Sequence, residues 1–199
     1  MIYPATLEKL IKFYKKLPSI GEKSAERLAL ATLELDDELI EQFSDTLKDA
    51  KKVLVPCQIC HNLTDKEICD VCSDKSRNHN LICVIEDYKS AFSFEKAGNY
   101  DGVYHVLNGL ISPINNIGPE DITISSLVKR VSELDNPEII LALKSSVEGE
   151  TTTLYIKKIF ENKNVTISRL SYGIPIGAEI EYLDILTLDK ALEDRKKIS

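Results

Sequence analysis

Leu81-Ile82-Cys83-Val84-Ile85 is an unbroken apolar run, preceded by the polar stretch Arg77-Asn78-His79-Asn80 and followed at once by Glu86-Asp87. A strand with one wet face alternates apolar and polar residues; a strand buried on both faces reads as a continuous apolar run, as in a parallel sheet. Similar runs recur at residues 102–107, 138–143 and 165–170. Helical spacing fills the gaps, at residues 89–97, 123–134 and 151–162. This alternation is the βαβ pattern, so the C-terminal part is expected to be α/β, a mostly parallel sheet with helices on both faces. Within it, Cys83 reads as a small core hydrophobe and His105 as a core or rim residue.

Upstream lie four of the chain's five cysteines, as Cys57-Gln-Ile-Cys60, eight residues, then Cys69-Asp-Val-Cys72. Each C-x-x-C pair supplies two sulfurs from one tight turn, and the loop between them brings the pairs together around an ion. The competing readings are two disulfides or four unrelated buried thiols. Met1-Ile2-Tyr3-Pro4 leads straight into a Lys-rich amphipathic helix with no signal peptide, so a cytoplasmic, reducing setting is expected, and it disfavours disulfides. Four thiolates leave no open coordination position, so Zn²⁺ at Cys57, Cys60, Cys69 and Cys72 is expected to be structural. His61 stands beside a ligand, but the four thiolates already suffice.

The front of the chain is helical. Leu7, Leu10, Ile11 and Tyr14 share a face over residues 5–16, and Leu17-Pro18-Ser19-Ile20-Gly21 breaks the helix. Ser19 and Glu22 match a capping box for a second helix over 22–34, with Ala25, Leu28, Ala29 and Leu33 as its stripe. A third helix is expected over 37–54, with Leu39, Ile40, Phe43, Leu47, Ala50 and Leu54 facing inward. Two short helices joined by a Gly-containing turn form a helix-hairpin-helix, whose backbone N–H groups and helix dipole attract a phosphate. Lys23 and Arg27 lie one turn apart and Lys16 closes the first helix, so these three are the candidate DNA contacts, made to the backbone and independent of sequence. The bland alternative is an ordinary helical hairpin with a solvated lysine face. Gly21-Glu22-Lys23-Ser24 is no nucleotide P-loop, because Leu17 stands six residues before the lysine and a helix precedes it.

Charge is distributed unevenly. The 199 residues carry a net charge of −7, with 43% hydrophobic and 29% charged residues, which alone argues against a general nucleic-acid binder. Residues 9–27, however, hold six basic against two acidic side chains, a local +4, whereas residues 36–49 hold one basic against six acidic, a local −5. No apolar run approaches the ~18 residues a membrane span needs, so no membrane partner is expected.

Glu86 ends the first strand of the α/β part, and Glu148 and Glu150 follow the third. Carboxylates gathered at strand C-termini can hold Mg²⁺ for phosphoryl chemistry. Lys144-Ser-Ser-Val-Glu-Gly-Glu150 contains no D-x-D aspartate pair and does contain a lysine. Solvated acidic loops or a protein-contact surface explain the same residues.

The order of parts resembles the RecR family of bacterial recombination mediators. The resemblance covers essentially the whole chain: the hairpin Leu17–Arg27, the four-cysteine knuckle, Ile82-Cys-Val-Ile-Glu86, Leu107-Asn-Gly-Leu-Ile-Ser-Pro113 with Gly118-Pro-Glu-Asp121, Val147-Glu-Gly-Glu150, and Gly173-Ile-Pro-Ile-Gly177 with Glu181-Tyr182 and Asp184. It implies four parts: a helix-hairpin-helix region (1–55), a zinc module (56–79), a Toprim-like α/β domain (80–172) and a C-terminal segment with a Walker-B-like stretch and a helix (173–199). It implies a non-enzymatic protein, four copies of which close into a ring around DNA. The family binds double-stranded and gapped DNA and works with RecO, and in many bacteria RecF, to load RecA on gapped DNA coated with single-strand-binding protein, in the bacterial nucleoid. Lys23 and Arg27 carry over as DNA contacts, and Glu86, Glu148 and Glu150 as the Toprim acidic positions, in a region implicated in partner contact. A Mg²⁺-dependent Toprim nuclease or primase-like enzyme is the alternative. Ser19 stands where the family hairpin has Gly, Glu22 where Pro or a basic residue is common, and Ala178 where Gly is frequent. The zinc knuckle is expected to fold on its metal and to hold the helical and α/β halves in fixed relation.

Overall fold

Two alanines decide how the first helices meet. Ala25 and Ala29 lie one turn apart on α2 (Glu22–Leu33), and both are fully buried against α1 (Ala5–Tyr14). Their lack of a large side chain lets α1 approach, and Ile11, Leu7, Leu10, Tyr14 and Ile20 close the small core around them. Tyr14 donates its hydroxyl to Thr32 Oγ1 at 2.5 Å, and that oxygen in turn donates to the Leu28 carbonyl. The computed structural model describes residues 3–170, 174–195 and 197; it divides into a unit spanning residues 1–54 and one spanning 55–199.

Two readings of the first unit need correction. The Ser19–Glu22 capping box does not form. The residue that opens α2 is Gly21, in extended conformation and with no side-chain cap. Ser19 lies two residues further back, inside the turn closed by Ile20 N–H to the Leu17 carbonyl, with a left-handed φ of 64°. Glu22 instead forms an ion pair with Lys15. Second, α3 (Asp37–Val53) has no buried residue. Leu39, Phe43, Leu47 and Leu54 are exposed and Ile40 and Ala50 only half-buried, and Leu33, expected on the α2 stripe, is exposed as well. The amphipathic stripe is real, but among the described residues nothing covers it.

In the second unit, β1 (Val55–Pro56) and β2 (Leu63–Thr64) pair antiparallel and, with α4 (Asp70–Ser73), frame the cysteines. The expected alternation follows: β3 (Asn78–Ile85), α5 (Tyr88–Ala97), β4 (Gly102–Val106), α6 (Ile124–Ser132), β5 (Glu138–Ala142), α7 (Val147–Phe160) and β6 (Thr166–Arg169). The strands form one sheet in the order β4-β3-β5-β6, every pair parallel, with Cys83 opposite both Tyr104 and Ile140. Crossovers of this kind are right-handed. The chain steps outward from β3 to β4 and then back past β3 to β5, so α5 lies on one face and α6 and α7 on the other. The core records this: Ile82, Val84, Ile139 and Leu141 pack with Leu127, Val131, Ile156 and Phe160, whereas Cys83, Ile85, Tyr104 and Val106 pack with Ala91 of α5. The fold is therefore α/β in three layers.

Element limits move by a few residues from expectation, and one shift matters. α7 starts at Val147 and not near 151, because Ser146 caps it by accepting from the Gly149 N–H at 3.2 Å. That places Glu148 and Glu150 in a helical first turn and not in a loop. Arg77–Asn80 leads straight into the sheet: Arg77 forms a two-pronged pair with Glu95 (2.9 and 2.6 Å), and Tyr104 donates to the same carboxylate at 2.7 Å. The Gly173 of the expected Walker-B-like stretch lies outside the described residues; from Ile174 onward the chain forms a single 3-10 turn at Ile180–Tyr182 and then α8 (Ile185–Glu193). Ile176, Tyr182, Ile185 and Leu186 of this segment are exposed. No helix of the described residues is long and apolar enough to cross a membrane.

Ser19→Gly should stabilise the hairpin. A left-handed L-residue costs about 1–2 kcal/mol, whereas glycine adds about 0.4–1 kcal/mol of unfolded-chain entropy. Release of strain wins, and slower amide exchange across α1 and α2 of the variant checks it.

Candidate zinc centre and nucleic-acid interface

The four thiols converge as the spacing requires. Cys57, Cys60, Cys69 and Cys72 are all buried and their sulfurs lie within 4.8 Å of one another, Cys60 and Cys69 at 3.5 Å. A tetrahedral Zn²⁺ with bonds of about 2.3 Å needs sulfurs roughly 3.8 Å apart. The quartet fits that ion. The first turn is shaped by Cys57 N–H to the Asn62 carbonyl (2.7 Å) and His61 N–H to the Cys57 carbonyl (2.9 Å), and the second by Ser73 N–H to the Cys69 carbonyl (3.0 Å). Cys69 N–H points at Cys57 Sγ, 3.3 Å away, where it stabilises a thiolate. Crowding already separates the thiols: hydrogen bonding from Cys60 lowers the Cys69 pKa, and the same contact raises that of Cys60. His61 is not a ligand; its Nε2 sits 2.8 Å from Ser126 Oγ. With four protein sulfurs the centre is closed and structural.

At the hairpin, Lys16, Lys23 and Arg27 are exposed. Lys23 and Arg27 project from α2 on the side away from Ala25 and Ala29, and neither forms an ion pair or hydrogen bond among the described residues. Lys16 stands over the Phe13 ring, 5.5 Å from its centroid. The uncapped start of α2 leaves its first N–H groups open beside Lys23. Glu22, the acidic residue next to Lys23, has its charge met by Lys15.

The acidic positions are not gathered. Glu86, at the C-terminal end of β3, is paired with Lys144 at 3.1 Å across the top of the sheet. Glu150 is held by both carboxylate oxygens to Arg169, each at 3.2 Å. The Glu148 carboxyl lies below its usual range, through its own backbone N–H and the Ser146 hydroxyl. Among the described residues the cysteine quartet is the one group of three or more metal-ligating side chains that converge. A crevice of about 550 Å³ opens beside Glu86 and Lys144, between Phe94 of α5 and Ala142 and Leu170 of the sheet. It sits where the strand order reverses, the place at which open α/β sheets form sites.

Sequence reading missed Lys144 and Arg169 as ion partners, because charge pairing between elements distant in sequence has no local pattern. It also passed over Gly149 in Val147-Glu-Gly-Glu150. A Cβ there would stand 1.9 Å from the Lys144 carbonyl oxygen, so α7 can approach the end of β5 only with glycine at this position. A glycine in the first turn of a capped helix was the available signal.

Two outcomes are expected. Wild-type protein should hold one zinc per chain by metal analysis, and Cys57→Ser should hold none and lose solubility and assembly. Gly149→Ala should cost about 3 kcal/mol by chemical denaturation, the upper range for overpacking, since the clash is with backbone.

Comparison with known proteins accounts for the order of parts. Four family models match in sequence: the RecR helix-hairpin-helix (residues 7–51), the RecR zinc finger domain of the four-cysteine type (54–74), the Toprim domain (80–171) and the RecR C-terminal region (173–196). Curated relatives include the Recombination protein RecR of Streptococcus uberis and that of Enterococcus faecalis, each 42% identical over 198 residues and covering all of both chains. With helical hairpin, closed cysteine centre and parallel sheet each in the matched segment, this chain belongs to the RecR family of recombination proteins.

Proposed function

We propose that this chain is a DNA-binding mediator of recombinational repair and not an enzyme, acting in the bacterial cytoplasm at the nucleoid. It assembles with further copies of itself, four in all, into a ring-shaped clamp on double-stranded and gapped DNA. There it works with RecO, and RecF where present, to load RecA. The four-part division at residues 55, 79 and 172 belongs to the same reading. The observation that carries it is the pair Lys23 and Arg27, exposed and without a partner among the described residues, beside an uncapped helix start. Such a site takes phosphate oxygens from any sequence.

Self-association is supported by apolar surface that nothing among the described residues covers. The α3 stripe and the residues around Tyr182 and Ile185 are exposed on helices whose pattern is built for burial. A ring also resolves the charge conflict. One chain of net charge −7 repels DNA, whereas several +4 segments facing a common axis bind by multivalency. Glu86, Glu148 and Glu150 are read as a partner-contact surface. The Mg²⁺-dependent nuclease or primase-like alternative gains no support: Lys144 and Arg169 already meet the charges a metal would need.

Binding of labelled duplex and gapped DNA, followed by anisotropy across a salt series, tests the proposal. Lys23→Ala with Arg27→Ala should weaken binding at least about tenfold and flatten the salt slope by about 2, near 0.9 per lost phosphate contact. Unchanged affinity and slope would remove the hairpin from the DNA site. Phe43→Glu with Leu47→Glu should lower the mass in solution and weaken DNA binding while leaving both basic residues in place; monomers that bind as well as wild type would refute the ring.

A further inference from the structure

His61 occupies a backbone conformation that suits glycine. Its φ is +60°, in the left-handed region, directly after the metal ligand Cys60. Glycine would relieve that strain, so the imidazole must be doing something glycine cannot. Its Nε2 meets Ser126 Oγ of α6 at 2.8 Å, and its ring stands edge-on to His105 of β4, with centroids 5.3 Å apart and planes at 80°.

His105 continues the connection. It is fully buried, and its Nε2 faces both the carbonyl and the hydroxyl of Thr123, each at 3.1 Å. The Thr123 hydroxyl already donates to the Val106 carbonyl at 2.7 Å, so both groups accept from His105 and the proton sits on Nε2. Nδ1 is left a bare acceptor, the one buried side-chain nitrogen or oxygen without a partner among the described residues. A core that tolerates such an atom is using the ring for position. Thr123 also donates its N–H to the Leu107 carbonyl, and Val106 donates its N–H to the Cys60 carbonyl at 2.8 Å. One set of contacts therefore runs from a zinc ligand through His61 and His105 to Thr123, Val106 and Leu107, the two ends of the loop spanning residues 107–123.

We propose that His61 is a positioning residue that seats the zinc module on β4 and α6, so that filling the metal site and closing the base of the 107–123 loop are one cooperative event. Modules of this size fold on their metal. Without the ion His61 loses its fixed place, the His105 face opens, and the Thr123 closure loosens. Linkage makes the effect reciprocal: cutting the seat must weaken hold on the metal by the same factor. This inference stands apart from the DNA reading and does not need it.

The test uses full-length, zinc-loaded protein with two readouts, the rate of zinc transfer to a colorimetric chelator and amide exchange across residues 104–127. His61→Gly keeps all four thiolates and relieves the backbone, so it should still bind one zinc. It should release that zinc about tenfold or more faster, the usual scale for losing an outer-shell partner, with faster exchange at residues 106–123 and none of this in α2. Ser126→Ala, which removes no thiolate, should move both readouts the same way, and His61→Gln, which can still reach the hydroxyl, should restore part of each. Wild-type zinc release in His61→Gly and Ser126→Ala overturns the proposal. So does faster release with residues 106–123 as protected as in wild type, which would confine His61 to the metal shell. If His61→Gly fails to fold, Ser126→Ala decides alone by the same two readouts.

Discussion

Parallel hydrogen bonding of β3 to two neighbours, β4 on one side and β5 on the other, is the constraint from which the rest of the second unit follows. Parallel neighbours cannot be joined by a tight turn; each needs a crossover, and crossovers here take one hand. Because the chain moves to β4 first and returns to β5, α5 must cover one face and α6 and α7 the other. Both faces of β3 are thereby buried, and no residue from Ile82 to Ile85 can be polar without a core partner. The same reversal leaves the crevice beside Glu86, since α5 covers β3 and β4 but not the ends of β5 and β6. Zinc enters this scheme through β4, an edge strand whose Val106 N–H would otherwise be unpaired; the Cys60 carbonyl satisfies it.

The first unit obeys a different limit. Fifty-four residues fold around Ile11, Ala25 and Ala29 and a ring of half-buried neighbours, which is little apolar burial for that length. A core that small cannot also absorb the stripe of a 17-residue helix, so α3 keeps Phe43 and Leu47 exposed. Helical periodicity says that a face will be buried and nothing about what buries it. That is why the expectation of an inward stripe failed while the helix itself was readable to within a residue or two.

The same distinction sorts the rest. Features set by local spacing were legible: the apolar runs that became β3, β4, β5 and β6, the two C-x-x-C turns, and the exposed lysine and arginine one turn apart. Features set by which elements lie side by side were not. Lys144 meets Glu86 across 58 residues and Arg169 meets Glu150 across 19, and neither pair leaves a local pattern. Ser19 shows the limit from the other direction. Its spacing to Glu22 satisfies the capping pattern, yet the turn at Pro18 delays the helix and makes Gly21 the opening residue, so a correct local rule was applied two residues too early.

Those ion pairs bear on what the top of the sheet can do. A carboxylate cluster takes a divalent cation when several oxygens converge with their charge uncompensated. Lys144 supplies an ammonium at Glu86, and the same charge acts on Glu148, while Arg169 satisfies both oxygens of Glu150. A magnesium ion arriving there would have to displace two cations tethered to the chain, each at very high local concentration. Glu86, Glu148 and Glu150 are half-buried, each within reach of one of these cations and beside an apolar crevice. Charge balance alone thus sets this end of the sheet apart from one that gathers bare carboxylates for a metal.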